Sequence, residues 1–339
     1  MNIRSTTSLI LTAAMLSTAQ ALAGPLIIVT TTSDLKSITE SIAGDRATVS
    51  AICEGTRDAH YLQARPSFIM MARDADLWIR AGMELEIGWE PMILDGARNP
   101  DIRVGGPRHL DASEKVLKLD VPTQRLSRAL GDVHPSGNPH YWTDPLNGRI
   151  VAETIAERLI RVDAAGAETY RANLAAFQKA LDERMFGADL VQRFGGSTLW
   201  ARQLQGTLDS FLGENGASEM LGGWVARMRP LKGRRIVTYH KNWTYFVNRF
   251  GLEVAIELEP KPGIPPSPAH LSRVVDLMRE QGINTILIAP IYPPRAANRV
   301  AADVRAKVLV RAHSVGGLPA ASDYLSLIDE IVNDLAETL

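Results

Sequence analysis

Short apolar runs rich in β-branched residues occur at both ends of this chain and are absent from its middle. In the first part, residues 26–31 (LIIVTT), 47–52 and 75–81 (ADLWIRA) read as buried strands. Helical stretches at 33–42, 66–73 and 84–94 separate them, and 102–104 and 116–119 read as short strands or loops. The alternation resumes with strands at 235–239 (RIVTY), 253–258, 285–289 (TILIA) and 307–310. Helices are expected between them at 243–250, 270–280 and 295–304, and a last one at 324–339. Strands alternating with helices at this spacing argue for parallel α/β units. The middle is helical, with one helix at 147–161 and a second at 164–184. The second places Tyr170, Leu174, Phe177 and Leu181 on one apolar stripe. Residues 187–229, broken by Gly195-Gly196 and Gly222-Gly223, read as short helices and loops. The chain is therefore expected to be two α/β halves joined by a helical spine, and its 339 residues suit about two domains.

Charge and cysteine usage narrow the function classes. Lys plus Arg number 37 against 38 Asp plus Glu, a net charge of -1. That leaves no basic excess to neutralise phosphates, so nucleic acid is not expected as a partner. The single cysteine, Cys53, excludes an internal disulfide framework and any CxxC motif, and it reads as a small buried strand residue. Residues 1–23 read as a cleavable secretory leader: Arg4, an apolar stretch at 9–16, then Ala21-Leu22-Ala23. The mature chain is expected to begin at Gly24 and to reside in a bacterial periplasm.

Histidines fall where ligand chemistry gathers in α/β sheets, at the carboxyl ends of strands. His60 lies in the loop after the second strand (GTRDAHYLQARPS). His134 and His140 lie in GDVHPSGNPHYW, and His240 directly follows RIVTY. Three neutral imidazoles plus a carboxylate would suit a tetrahedral zinc ion. His134 reads as a loop residue, ahead of an accessory ligand, His109 as a surface loop residue and His270 as solvated. Trp142, Trp243 and Tyr245 read as cleft walls or core. Asp58 is a candidate to orient a ligating imidazole; Asp144 is another, or a helix cap.

Three motifs resemble the cluster A-I solute-binding proteins of ABC transporters, which carry zinc, manganese or iron. They are Asp58-Ala59-His60-Tyr61 with Ala64-Arg65-Pro66-Ser67, then Asn138-Pro139-His140-Tyr141-Trp142-Thr143-Asp144-Pro145, then Tyr239-His240-Lys241-Asn242-Trp243. The resemblance covers nearly the whole mature chain. It implies two α/β lobes linked by one long rigid helix, at 164–184, with metal in the cleft between them. It implies His60, His140 and His240 as ligands of Zn²⁺, with Mn²⁺ or Fe²⁺ as alternatives. It implies delivery to an ABC-transporter membrane permease, a periplasmic metallochaperone as a second candidate partner, and a monomer.

The sequence departs from that pattern in three respects. Residues 195–230 look inserted, between connecting helices at 147–194 and a second lobe at 231–339; the first lobe spans 24–146. The long His-rich loop of many zinc members is missing. The usual last carboxylate is replaced by a stretch containing His313. Glu259, entering the proline-stiffened loop Pro260-Lys261-Pro262, is the expected fourth ligand, ahead of His313 and Asp323. Asp323 also suits an N-cap. A secreted zinc hydrolase is the rival from another class, yet no HExxH or G-x-S-x-G motif is present. A binder of an organic solute is another rival.

Overall fold

The structure is a computed structural model that describes residues 24–123 and 134–339. The expected leader at 1–23 lies outside the described residues, as does the part of the loop at 124–133.

The first lobe holds β1 (Leu26–Thr32), α1 (Ser33–Ala43), β2 (Ala47–Cys53), α2 (Pro66–Arg73), β3 (Leu77–Arg80), α3 (Glu90–Ala97) and β4 (His109–Asp111). Its four strands are parallel in the order β2-β1-β3-β4. Two long helices follow, α4 (Pro145–Val162) and α5 (Ala167–Phe186), and then four short ones, α6 (Ala188–Phe194), α7 (Gly196–Leu204), α8 (Leu208–Glu214) and α9 (Gly223–Met228). The second lobe holds β5 (Arg235–Thr238), α10 (Thr244–Phe250), β6 (Glu253–Glu257), α11 (Pro268–Gln281), β7 (Thr285–Ile288), α12 (Arg295–Val304) and β8 (Lys307–Val310). Its parallel order, β6-β5-β7-β8, repeats that of the first. The last helix, α13 (Tyr324–Thr338), packs against α1 and α9.

Three local readings are corrected. His109, read as a surface loop residue, is buried and opens the fourth strand, β4, while 102–104 and 116–119, read as short strands or loops, lie outside the sheet. Leu117 lies in no sheet: its N–H donates to Asn147 Oδ1 (2.8 Å) and its carbonyl accepts from Asn147 Nδ2 (3.2 Å). One buried amide on α4 thus does for this segment what a neighbouring strand would do. The helix expected from residue 84 begins at Glu90, because Gly82, Met83 and Glu84 all take positive φ. A Cβ on Gly82 would sit 2.1 Å from Asp111 Oδ1, so only glycine fits that turn. His270 is buried rather than solvated; its Nε2 lies 2.9 Å from the Glu257 carbonyl.

One contiguous core runs from Ile28 and Leu35 through Tyr170 and Phe186 to Phe246 and Tyr324, so lobes and spine share it. Hydrogen bonds cross between the lobes at several places. Ser33 Oγ donates to the Val315 carbonyl (2.7 Å), and Val315 N–H donates to Asp34 Oδ1 (2.8 Å). Burial pushes the Asp34 carboxyl up to about 7. Trp142 Nε1 donates to the His313 carbonyl and Tyr324 Oη to the Trp142 carbonyl, both at 2.7 Å. Asp144 caps α4 through Leu146 N–H and takes two bonds of 2.7 Å from Arg249 on α10. Both side chains of that pair are buried.

Removing one partner of a buried ion pair leaves an uncompensated charge. Arg249→Met is therefore expected to lower the unfolding free energy of the metal-free protein by about 3 kcal/mol. Equilibrium urea unfolding at neutral pH measures this.

Candidate metal centre

Each of the three expected histidines is aimed by a side-chain oxygen. Beyond β2, Asp58 caps a 3₁₀ turn over Ala59–Tyr61, and its Oδ1 accepts from both His60 N–H (2.9 Å) and His60 Nδ1 (2.8 Å). Ahead of α4, Asn138 Oδ1 accepts in the same way from His140 N–H (3.0 Å) and His140 Nδ1 (2.9 Å). Beyond β5, His240 Nδ1 donates to Glu259 Oε2 at 2.8 Å, and that oxygen also accepts from Gly263 N–H at 3.1 Å. With Nδ1 committed in each ring, the tautomer is fixed and Nε2 keeps its lone pair for a metal.

The three rings converge. One nitrogen from each of His60, His140 and His240 lies within 4.8 Å of the others. Ring centroids are 5.2 Å apart for His60 and His140, 5.4 Å for His140 and His240, and 5.9 Å for His60 and His240. His60 and His140 precede the spine and His240 follows it, so the cluster draws on both lobes.

The other candidates fall into place around this core. Glu259 reaches the site one bond further out than the sequence suggested: it holds the His240 ring and is not among the three converging groups. His134, read as a loop residue, stands at the site, with its Nε2 3.2 Å from His60 Nε2. His313 is buried with its ring 6.4 Å from that of His140. Its Nδ1 has no hydrogen-bond partner among the described residues, and burial first, with repulsion from the His240 and His60 rings outweighing the pull of Asp58, pushes its pKa down to about 4. Asp323 lies apart, capping α13 in a reciprocal box with Ser326. Asp144 is a cap and an ion-pair partner rather than an orienter of a ligand. Cys53 is buried, its thiol pushed up to about 12 by burial and nearby carboxylates, and it does not join the cluster. Trp142, Trp243 and Tyr245 are core.

Sequence reading found the three rings and the Asp58 orienter but overlooked Asn138. The signal was present, because Asp58-x-His60 and Asn138-x-His140 share one spacing. A short side-chain oxygen two residues before a histidine can hold that residue's N–H and its Nδ1 together.

The electrostatics favour a cation over a proton. Burial, then repulsion from the neighbouring rings, holds the His140 pKa well below 6.5. Burial opposes ionisation of Asp58, but its hydrogen bonds from His60 outweigh this and hold it below the usual carboxylate range. Asp58 and Glu259 together supply two negative charges beside the rings, opposite to a divalent ion. Three imidazoles with a further position for water or another donor match zinc chemistry.

His240→Ala removes one of the three converging rings and is expected to weaken zinc affinity by more than the roughly 10–100-fold that loss of an orienting partner costs. The metal-free fold should be retained; competition titration and circular dichroism check the two halves. Affinity should also fall in acid, where protons compete with the metal for the same ring nitrogens. The metal-free protein is expected to lose stability in acid too. His140 stays neutral when folded while the unfolded chain takes up the proton, so stability is present above about 6.5 and lost below it. Thermal unfolding at pH 5.5 and 7.5 tests the sign.

The sequence model of the family described as "ZnuA: Zinc-uptake complex component A periplasmic" matches residues 28–185 and 222–338. The high-affinity zinc uptake system protein ZnuA of Paracoccus denitrificans is 26% identical over 334 residues, covering 88% of this chain and 87% of that protein. The iron-binding protein YfeA of Yersinia pestis is 25% identical over 317 residues, covering 91% and 85%. A crystal structure of ZnuA superposes with a TM-score of 0.68 at 20% identity, covering 93% of this chain and 99% of that one. A manganese-bound mutant of a periplasmic metal-binding protein from Candidatus Liberibacter asiaticus gives 0.66 at 20%, covering 92% and 98%. Two parallel α/β lobes, the long helices between them and the matched sequence agree: the chain belongs to the ZnuA family of periplasmic zinc-uptake components.

Proposed function

We propose that this protein is a periplasmic high-affinity zinc-binding protein that captures the ion and delivers it to an ABC-transporter membrane permease. The observation that carries this reading is the convergence of one nitrogen each from His60, His140 and His240 within 4.8 Å, drawn from both lobes. Zinc is the cargo, and no bond of a substrate is made or broken. His60, His140 and His240 bind it through Nε2, with Asp58, Asn138 and Glu259 holding the rings. The fourth position goes to water, to Glu259 if it turns from His240, or to His313 Nδ1, which has no partner among the described residues.

A metal held by both lobes fixes their mutual position, and that fixed form is what a permease can distinguish from the metal-free one. The leader at 1–23 supplies the address. Residues 195–230 are read as an insertion, which the gap in the family match between 185 and 222 supports. No helix among the described residues is long and apolar enough to cross a membrane.

Metal content and competition titration on residues 24–339 test the proposal. After stripping with chelator, zinc, manganese and iron(II) are added separately. One tightly bound zinc per chain, lost in His60→Ala or His140→Ala, is expected. Tight manganese or iron(II) with weak zinc would make the protein a carrier of those ions. Absence of any stoichiometric metal would overturn the site.

A further inference from the structure

One side chain of the metal centre faces both lobes at once. Asn138 is buried, and its Oδ1 takes the N–H and Nδ1 of His140. A backbone N–H can only donate, so the amide atom facing it is the oxygen and the amide nitrogen points the other way. There Nδ2 donates to the Lys241 carbonyl (2.8 Å) and to Thr244 Oγ1 (3.1 Å), both within four residues of His240. It also lies 3.3 Å from Asp120 Oδ2. The main chain of Asn138 is held from the same side: its carbonyl accepts from Tyr245 Oη at 2.8 Å. Asp58, in the matching position beside His60, has the same two contacts to its histidine but no donor to extend elsewhere.

We propose that Asn138 is a positioning residue that couples the aim of the His140 imidazole to the place of the lobe carrying His240, and so sets the rate at which metal is released. The inference deepens the metal-carrier reading and rests on it. Its chemical content is that an amide is needed at 138. Only a side chain with an acceptor and a donor can hold the ring on one side and the opposite lobe on the other. When the lobes separate, Nδ2 loses Lys241 and Thr244 and keeps only Asp120 of its own lobe, so the amide that aims the His140 ring is no longer held from the opposite side.

Asn138→Asp separates this from a purely local role, because the two accounts predict opposite signs. A carboxylate behind His140 keeps both acceptor contacts and raises the basicity of the ring, which by itself holds zinc as well or better. Across the lobes the same change removes every donor and faces a carboxylate toward the Lys241 carbonyl and Asp120. Zinc release into an excess of chelator is expected to accelerate by roughly tenfold or more. The acceleration should persist in an Asp120→Asn background, which removes the like-charge contact. Thr244→Val, which touches no ligand and leaves His140 fully held, should accelerate release by a few-fold and carries the test if Asn138→Asp fails to fold. In the metal-free protein, amides of residues 239–245 should exchange hydrogen faster in either variant. Unchanged or slower release with unchanged exchange would overturn the coupling. If the wild-type chain holds no zinc, the carrier reading fails, and the exchange experiment still decides whether Asn138 joins the lobes.

Discussion

A divalent ion leaving water for a buried site needs neutral donors that are already fixed and negative charge close behind them. The rest of this structure serves that requirement. A free imidazole has two tautomers and a rotating ring, and each bond from Nδ1 to Asp58, Asn138 or Glu259 removes both freedoms before the metal arrives. Burial alone would repel a dication as it repels a proton from His140. The two carboxylates among the three orienting groups offset that repulsion for a doubly charged ion.

The fold supplies these groups by repetition. Both sheets run in the same order, with the first strand of each lobe lying second from an edge. In that topology the chain reverses direction beside the first strand, and loops at the carboxyl ends of neighbouring strands gather at one end of the sheet. His60 follows β2, His240 follows β5, and Glu259 lies just beyond β6. The segment from Asn138 to Asp144 belongs to neither set of strand ends. It is held across the lobe interface by Asn138, by Trp142 and by the Asp144–Arg249 pair, so His140 is fixed by both halves of the molecule.

Most of this architecture was legible in the sequence, because short runs rich in apolar and β-branched residues such as 26–31 and 285–289 alternate with helical stretches at the spacing of parallel α/β units. The three rings were legible from their place after strands and from the motifs around them. What escaped reading had tertiary causes. The segment at 116–119 has strand-like residues, yet its hydrogen bonds go to a side chain on α4 and to Tyr245 on α10. The strand at 109–111 is only three residues long and begins with a histidine, so neither pattern nor composition marks it. Asp323 followed three residues later by Ser326 was readable as a cap, and the structure places it there. The end of a strand and the prolines after it bring Glu259 to the cleft, but whether a carboxylate meets a metal or the back of a histidine depends on a bond that no spacing encodes.

The segment outside the family match bears on the lobe interface as well. Leu199, Trp200, Leu208 and Leu212 belong to the main core and are not a surface appendage. Trp200 Nε1 donates to Asp182 at 2.6 Å, and Asp182 also takes a bond from Arg149 on α4. The Arg249 guanidinium lies 5.6 Å from the Trp200 ring centroid while it grips Asp144. An aromatic face over a cation already paired with a carboxylate shields that pair from water and strengthens it. Helices outside the common pattern therefore brace the joint between the His140 loop and the helix that follows His240. Separating the lobes widely at that joint would expose the ion pair and part of the core together, so the packing favours small relative displacements of the lobes over a wide swing of one of them.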